Sequence, residues 1–394
     1  MAPCREGVQG TGTPVQAARG MPVLLTVTFL AFANYAALLS VVPLWAAAGG
    51  AGGIGVGATT GTMMAATVAA ELAMPWLFRV MDLRTMMALG ALLLGAPTPL
   101  YVLSSDLTAV LLVTVVRGTG FALLVTSGAT LVADLARSGR LARSASLYGA
   151  AAALPNLGAL AGGVWAAQVW GFDAVFWIGG AASVAAALLA LALPRGHRGT
   201  FSLGRPGDLR AIAGPVSLFL LTAGAFGALT SFLPVAGPSA GEAALALFAA
   251  SVALVAARLG AGSFADRHGF GRLLFWAVLA CASGFGLLAL ALTGPPWLLV
   301  AGAALLGGGF GAAQNDSFVM TVQRLGTERA GTAGTLWNIV YDGGLGVGAV
   351  ALGLVVGPAG YAGAFLAAGA AVAAAGTALA LVSRPGADRA GLAH

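Results

Sequence analysis

Lysine is absent from this 394-residue chain, cysteine occurs twice, histidine three times, and charged residues make up only 8%. Without lysine there can be no Gly-x-x-x-x-Gly-Lys loop to cradle a nucleotide's phosphates, so energy from that device is excluded. Cys4 lies in the N-terminal tail and Cys281 in an apolar run, which fits neither a disulfide framework nor a paired metal site. His197, His268 and His394 fall in loops or the tail, and no His, Cys or carboxylate cluster has metal or nucleophile spacing. No cofactor, metal, enzymatic activity or nucleic-acid partner is therefore expected. The shortage of charge excludes most, because soluble domains carry roughly 25% charged residues. A chain that is 59% hydrophobic has too little polar surface to face water on all sides.

What is present is a series of long apolar runs. In lipid every backbone N–H and C=O must be paired within the protein, so only helices or closed barrels survive there. Barrel strands would read as short alternating segments; these runs are long and continuous and predict helices. Crossing the hydrocarbon takes about 20 helical residues. Spans are predicted near 21–48, 54–78, 85–105, 107–133, 144–170 and 172–194, then 212–236, 240–265, 272–293, 296–322, 332–356 and 359–383. The tightest turns fall near Asp106 and Gly171. Residues 1–20 read as a disordered tail without the apolar centre of a cleavable signal peptide, 195–211 as a linker and 384–394 as a second tail. The 60 glycines suit close helix packing in a membrane; biased codon usage is the other source of such a composition.

Arginine carries all of the basic charge. Assigning alternate loops to one side places 18 of the 19 arginines there, Arg258 among them, the exception being Arg117. The opposite side receives the acids Asp106, Asp173 and Glu242. Positive charge stays cytoplasmic during insertion. Both termini are therefore expected in the cytoplasm of a multi-pass plasma-membrane protein, which requires an even number of spans.

The linker divides the spans six and six, and the halves echo each other. Arg143-Ser-Ala-Ser-Leu-Tyr148 leads to Pro155-Asn156-Leu157-Gly158, and Arg329-Ala-Gly-Thr leads to Tyr341-Asp342-Gly343-Gly344, an offset of 186 residues. Arg79 and Arg84 parallel Arg267 and Arg272 at an offset of 188. Between the eighth and ninth spans the chain reads Gly262-Ser-Phe-Ala-Asp266-Arg267-His268-Gly269-Phe270-Gly271-Arg272. With these features the chain resembles the major facilitator superfamily over residues 21–383. Gly262, Asp266, Arg267, Gly269 and Arg272 match the family's loop motif, whereas Phe270 and Gly271 stand where basic residues are frequent. The equivalent first-half loop has Phe78 in place of the Asp. The resemblance implies an all-α membrane fold of two pseudo-symmetric six-helix bundles, 21–194 and 212–383, around a central cavity. It also implies that the matched loop latches the cytoplasmic gate, with Asp266 near the positive end of a helix.

Four ionisable residues fall inside spans, where charge is costly and marks a functional hypothesis. Arg117 sits near mid-membrane and needs an embedded carboxylate or a substrate anion as partner. The family often has an Arg here linked to proton coupling, but its usual Gln-Gly continuation is Gly120-Phe121. A structural ion pair is the alternative. Asp342 shares a face with Thr335, Asn338 and Tyr341 by i, i+3, i+4 spacing, a stripe that lines a cavity or ties helices together. Asp316 follows Gln314 and Asn315, and consecutive residues fan about 100° apart, so some of the three must bond neighbouring helices. Glu71 shares a face with Thr60, Met64 and Thr67, as a gate, a proton relay or a structural hydrogen bond. Asp342, Arg117, Asp316 and Glu71 are the proton-coupling candidates. Asn34, Tyr35, Asn156, Gln314, Asn315, Asn338 and Tyr341 are the candidate cavity residues. The stretch Leu154-Pro155-Asn156 is similar to a family antiporter motif but has Leu where that motif has Gly.

These features predict a monomeric secondary transporter that exchanges protons for a small apolar or amphipathic molecule by alternating access. Export follows from the resemblance to actinobacterial efflux members and from a lining rich in Ala, Met, Phe and Trp. Proton-coupled import of a sugar or organic acid is the alternative, and a non-transporting membrane sensor or enzyme a remote one.

Overall fold

The computed structural model describes residues 14–136, 140–194 and 202–382. Those residues form helices α1 (Pro14–Ala48), α2 (Gly53–Val80), α3 (Leu83–Gly95), α4 (Leu107–Leu135), α5 (Leu141–Val169), α6 (Phe172–Ala190), α7 (Pro206–Ala236), α8 (Ala240–His268), α9 (Leu274–Ala291), α10 (Trp297–Leu325) and α11 (Ala330–Val382). A 3₁₀ turn, Thr98–Leu103, extends α3 to membrane-crossing length. Eleven of the described helical segments are long and apolar enough to cross a bilayer. Outward faces carry leucine and tryptophan where a soluble protein would place charge: Leu103, Leu112, Leu188, Leu259 and Trp276 are all largely exposed. The chain is an all-α membrane protein.

Polar punctuation sets the breaks. Asp106 accepts hydrogen bonds from the backbone N–H groups of Thr108 (2.9 Å) and Ala109 (3.3 Å), capping α4. Gly171 reverses the chain into α6 with φ 87°, a conformation that favours glycine. Three boundaries differ from expectation. Helix α1 starts at Pro14, so residues 14–20 of the expected tail are helical. Helix α7 starts at Pro206, inside the expected linker, where the Asp208 carboxylate accepts from the Arg205 backbone N–H at 2.6 Å. The last two expected spans form one 53-residue element with Gly360 non-helical inside it, at φ 65° shortly after Pro358. Residues 1–13 of the first tail, 195–201 of the linker and 384–394 of the second tail lie outside the described residues.

The two halves are built alike. In the first, Gly118 of α4 packs on the Met63 carbonyl of α2; in the second, Gly307 of α10 packs on the Ala250 carbonyl of α8. Positions 63 and 250 are 187 residues apart, and 118 and 307 are 189 apart. Likewise Gly163 of α5 abuts Ala37 of α1, as Gly348 of α11 abuts Gly224 of α7. Between the halves α2 packs along α11, α5 along α8 and α1 against α7. A twofold that exchanges the halves turns the first two pairings into each other.

This seam is tightest toward the end that carries Asp106, Asp173 and Glu242. Gly53, Gly57 and Gly61, one per helical turn of α2, meet Gly353, Ala349 and Val350 of α11 so closely that a Cβ would strike backbone or side chain. Small residues let membrane helices approach this way. Thr60 and Ser231 join α2 to α7 at 2.7 Å in the same region. Toward the arginine-bearing end, Trp337, Asn338, Val340 and Tyr341 of α11 are only half-buried.

Candidate functional site

Arg117 lies about 15 Å along α4 from Leu107. It is 1% exposed. An embedded carboxylate or a substrate anion was expected as its partner; its hydrogen bonds within the chain go to neutral groups. Its Nε donates to the Leu94 carbonyl (3.2 Å), Nη1 to the Tyr101 hydroxyl (3.4 Å) and Nη2 to Asn34 Oδ1 (3.2 Å). The guanidinium also stands 5.6 Å from the Tyr101 ring centroid, a cation–π distance. Asn34 donates in turn to Ser183 Oγ at 2.8 Å. Arg117 therefore ties α4 to α1 and α3, with α6 reached through Asn34. Beside it is a void of about 10 Å³, one water in size, lined in part by Leu38, Thr60 and Thr114.

The carboxylates meet elsewhere. Glu71 of α2 and Asp342 of α11 come from opposite halves, are each 3% exposed, and are close enough for their charges to act on one another. Tyr35 of α1 lies within electrostatic reach of both Asp342 and Arg117. Glu71 Oε2, Asp342 Oδ1 and the Tyr35 hydroxyl are buried without a hydrogen-bond partner. Three orphaned polar atoms on three helices depart from the rule that buried polar groups are paired. The expected face of Glu71 is observed, since Thr60, Met64 and Thr67 are buried alongside it.

Aromatic side chains wall this group. Tyr35 stacks on Phe121 with centroids 4.0 Å apart. In the second half Phe219 stacks on Trp337 (4.7 Å) and Trp337 on Tyr341 (5.6 Å), and Phe310 adds to the stack. Tyr341 and Asn338 are half-buried on the same helix face as Asp342. The stripe expected on α11 therefore faces the interior.

Other candidates are taken up differently. Asp316 accepts from the Leu273 N–H (3.0 Å) at the start of α9, so it caps that helix. Asp266, Arg267 and Arg272 of the loop motif are exposed. Gly269 ends α8 at φ 87°, and Gly271, outside the motif, has the same φ, so both loop glycines hold conformations a side chain would strain. Gly262 faces the Asn315 amide. Asn156 donates to the Ala152 carbonyl of its own helix (3.2 Å).

Arg258 was expected among the loop arginines. It lies well inside α8 instead, about 15 Å from the His268 end, and donates to Gln314 Oε1 at 3.3 Å. Tyr341 is within electrostatic reach of both Arg258 and Asp342. Arg258 is also partly exposed, and a charged group at this depth faces a water-filled space rather than lipid. The signal that could have found it is the 187-residue repeat, which pairs position 258 with Glu71. A separate cleft of about 450 Å³, lined by Ser202, Gly204, Arg205, Arg329 and Thr332, opens at the linker. There Arg329 and Asp208 form a bidentate ion pair that fixes the start of α11 to α7.

Two repeated helical halves meet along a tight glycine seam, with buried polar groups between them. The family model for the Major Facilitator Superfamily matches residues 24–349, and the chain belongs to that family. It is therefore a membrane transporter and not an enzyme. Solved structures share the fold. The nucleoside transporter NupG is 16% identical, with TM-score 0.73 over 93% of this chain and 99% of that one. A bacterial homologue of the human lysosomal transporter Spinster, in an inward-facing and occupied conformation, is 17% identical, with TM-score 0.74 over 95% and 98%. A POT family transporter in complex with 5-aminolevulinic acid is 12% identical, with TM-score 0.75 over 93% and 96%. A search among curated proteins finds no match.

Proposed function

We propose that the protein is a proton-coupled exporter of a small amphipathic organic compound, working as a monomer in the plasma membrane with both termini in the cytoplasm. The observation that carries this reading is the Glu71–Asp342 pair. Two buried carboxylates within electrostatic reach of each other are costly unless a proton or a cation is held with them. These two come from α2 and α11, helices that must separate when the halves rock apart, so the occupancy of the pair biases the seam. Protonation favours contact and loss of the proton favours separation. A substrate entering the same group displaces the proton, which gives exchange. Arg117 lies within electrostatic reach of Tyr35, and its hydrogen bonds go to neutral groups rather than to the carboxylates.

The aromatic walls suit an amphipathic cargo, and export follows from that lining together with the resemblance to efflux members of the family. The positive-inside arrangement of arginine supports cytoplasmic termini, with α11 passing through the bilayer twice about Gly360 to make twelve crossings. The test is proteoliposome proton flux driven by a panel of toxic and metabolite compounds, paired with cellular accumulation of a labelled active compound. Lower accumulation in expressing cells and flux opposite to the compound are the expected results. Higher accumulation would make the protein an importer, and flux with no compound would remove the proton-coupled reading.

A further inference from the structure

The repeat places Glu71 and Arg258 at equivalent positions. Each lies at the same distance from the start of its helix, Gly53 for α2 and Ala240 for α8. The offset of 187 residues is the one that relates the packing partners Met63 and Ala250. Related helices thus carry opposite charges at one depth. The negative pole has Asp342 added to it and keeps Oε2 of Glu71 and Oδ1 of Asp342 unpartnered on side chains 3% exposed. The positive pole is the Arg258 guanidinium. One of its nitrogens is turned to Gln314, and the side chain is partly exposed beside the half-buried face of α11. Tyr341 is within electrostatic reach of both poles, and its ring continues the stack through Trp337 to Phe219.

We infer that the central site recognises a zwitterion. A protonated amine occupies the unpartnered oxygens of Glu71 and Asp342, an anionic group sits on Arg258, and an apolar or aromatic body lies against Trp337 and Tyr341. This inference rests on reading the space between the halves as the substrate site. Guanidinium binds a planar oxyanion through two parallel N–H donors, which lysine cannot do. A site with a charged group for each end of a substrate disfavours an analogue that lacks one end, most strongly at the buried carboxylates, whose oxygens are then left unpaired. The aromatic faces add apolar contact and attract the ammonium end. An apolar cation would use only the carboxylate pole and leave Arg258 without a role; a simple organic anion would leave the carboxylates unmatched.

Isothermal titration of the purified full chain separates these cases with three probes of one shape: 4-(aminomethyl)benzoate, benzylamine and benzoate. The zwitterion is expected to bind about tenfold more tightly than either single-charge probe, one charge-assisted contact being the difference. Arg258→Ala should lower its affinity to that of benzylamine, and Arg258→Lys should restore part of the loss. Asp342→Asn should lower it toward that of benzoate. Equal affinity for benzylamine, an Arg258→Ala variant that binds as the wild type does, or no saturable binding of any probe overturns the inference. If a singly charged compound nonetheless drives proton flux in proteoliposomes, the inference fails alone and the transporter reading stands. A thermal melt of each variant confirms that it is folded.

Discussion

At the scale of single residues, burial and partnering separate groups that the sequence presents as equals. Arg117, Asp316, Glu71 and Asp342 are all charges in apolar helices, yet Arg117 is satisfied by fixed neighbours, Asp316 gives one oxygen to the Leu273 N–H while its Oδ1 stays unpartnered, and Glu71 and Asp342 each retain an unpartnered oxygen. Removing the Arg117 side chain deletes three charge-assisted hydrogen bonds that connect three helices. Arg117→Ala should cost on the order of 3 kcal/mol. The check is a thermal melt of the purified protein, with a clearly lower midpoint than the wild type. Asp316→Asn keeps the acceptor but removes the charge at the start of α9, and should cost only about 0.5–1 kcal/mol, with proton-coupled flux preserved. Flux lost at full stability would return Asp316 to the coupling group. Charge in an apolar run is visible in a sequence, which is why Glu71 and Asp342 were legible as candidates. Their mutual approach was not, since nothing local links position 71 to position 342. Arg258 was missed because it stands near other arginines at the end of its span and was counted with them.

At the scale of helices, the glycines of α2 and α11 do work that no side chain could do in their place. Gly57 presents its bare Cα to the Ala349 carbonyl, so Gly57→Leu must push the two helices apart. The expected result is a population shifted toward opening at the acid-bearing end. A cysteine placed at Val350 should then react severalfold faster with a membrane-impermeant maleimide, and transport should fall. An unchanged labelling rate would mean that this seam does not gate access. The Gly53, Gly57, Gly61 spacing stands in the sequence, but glycine is so frequent throughout that only contact identifies the stripe that counts. Helix ends were legible where a capping residue announced them, as at Asp106, and less so at Pro14 and Pro206. There polar residues continue the helix beyond the apolar run that signals it.

For the whole molecule, the apolar composition and the one-sided arginines led to the architecture, because a bilayer permits few solutions for such a chain. The even crossing number depends on the break at Gly360. Cysteines introduced at Ser202 and at Ala359 should label from opposite sides of the membrane, the first only from the cytoplasm; labelling from one side would make α11 a single passage. In the proposed mechanism Glu71 and Asp342 share an exchangeable proton between the halves. The decisive experiment is substrate-driven proton flux in proteoliposomes holding wild type, Glu71→Gln or Asp342→Asn, each verified as folded. Robust flux is expected in the wild type and its loss in both variants, with substrate exchange down its own gradient persisting in at least one. Full proton flux in both folded variants would rule the shared proton out.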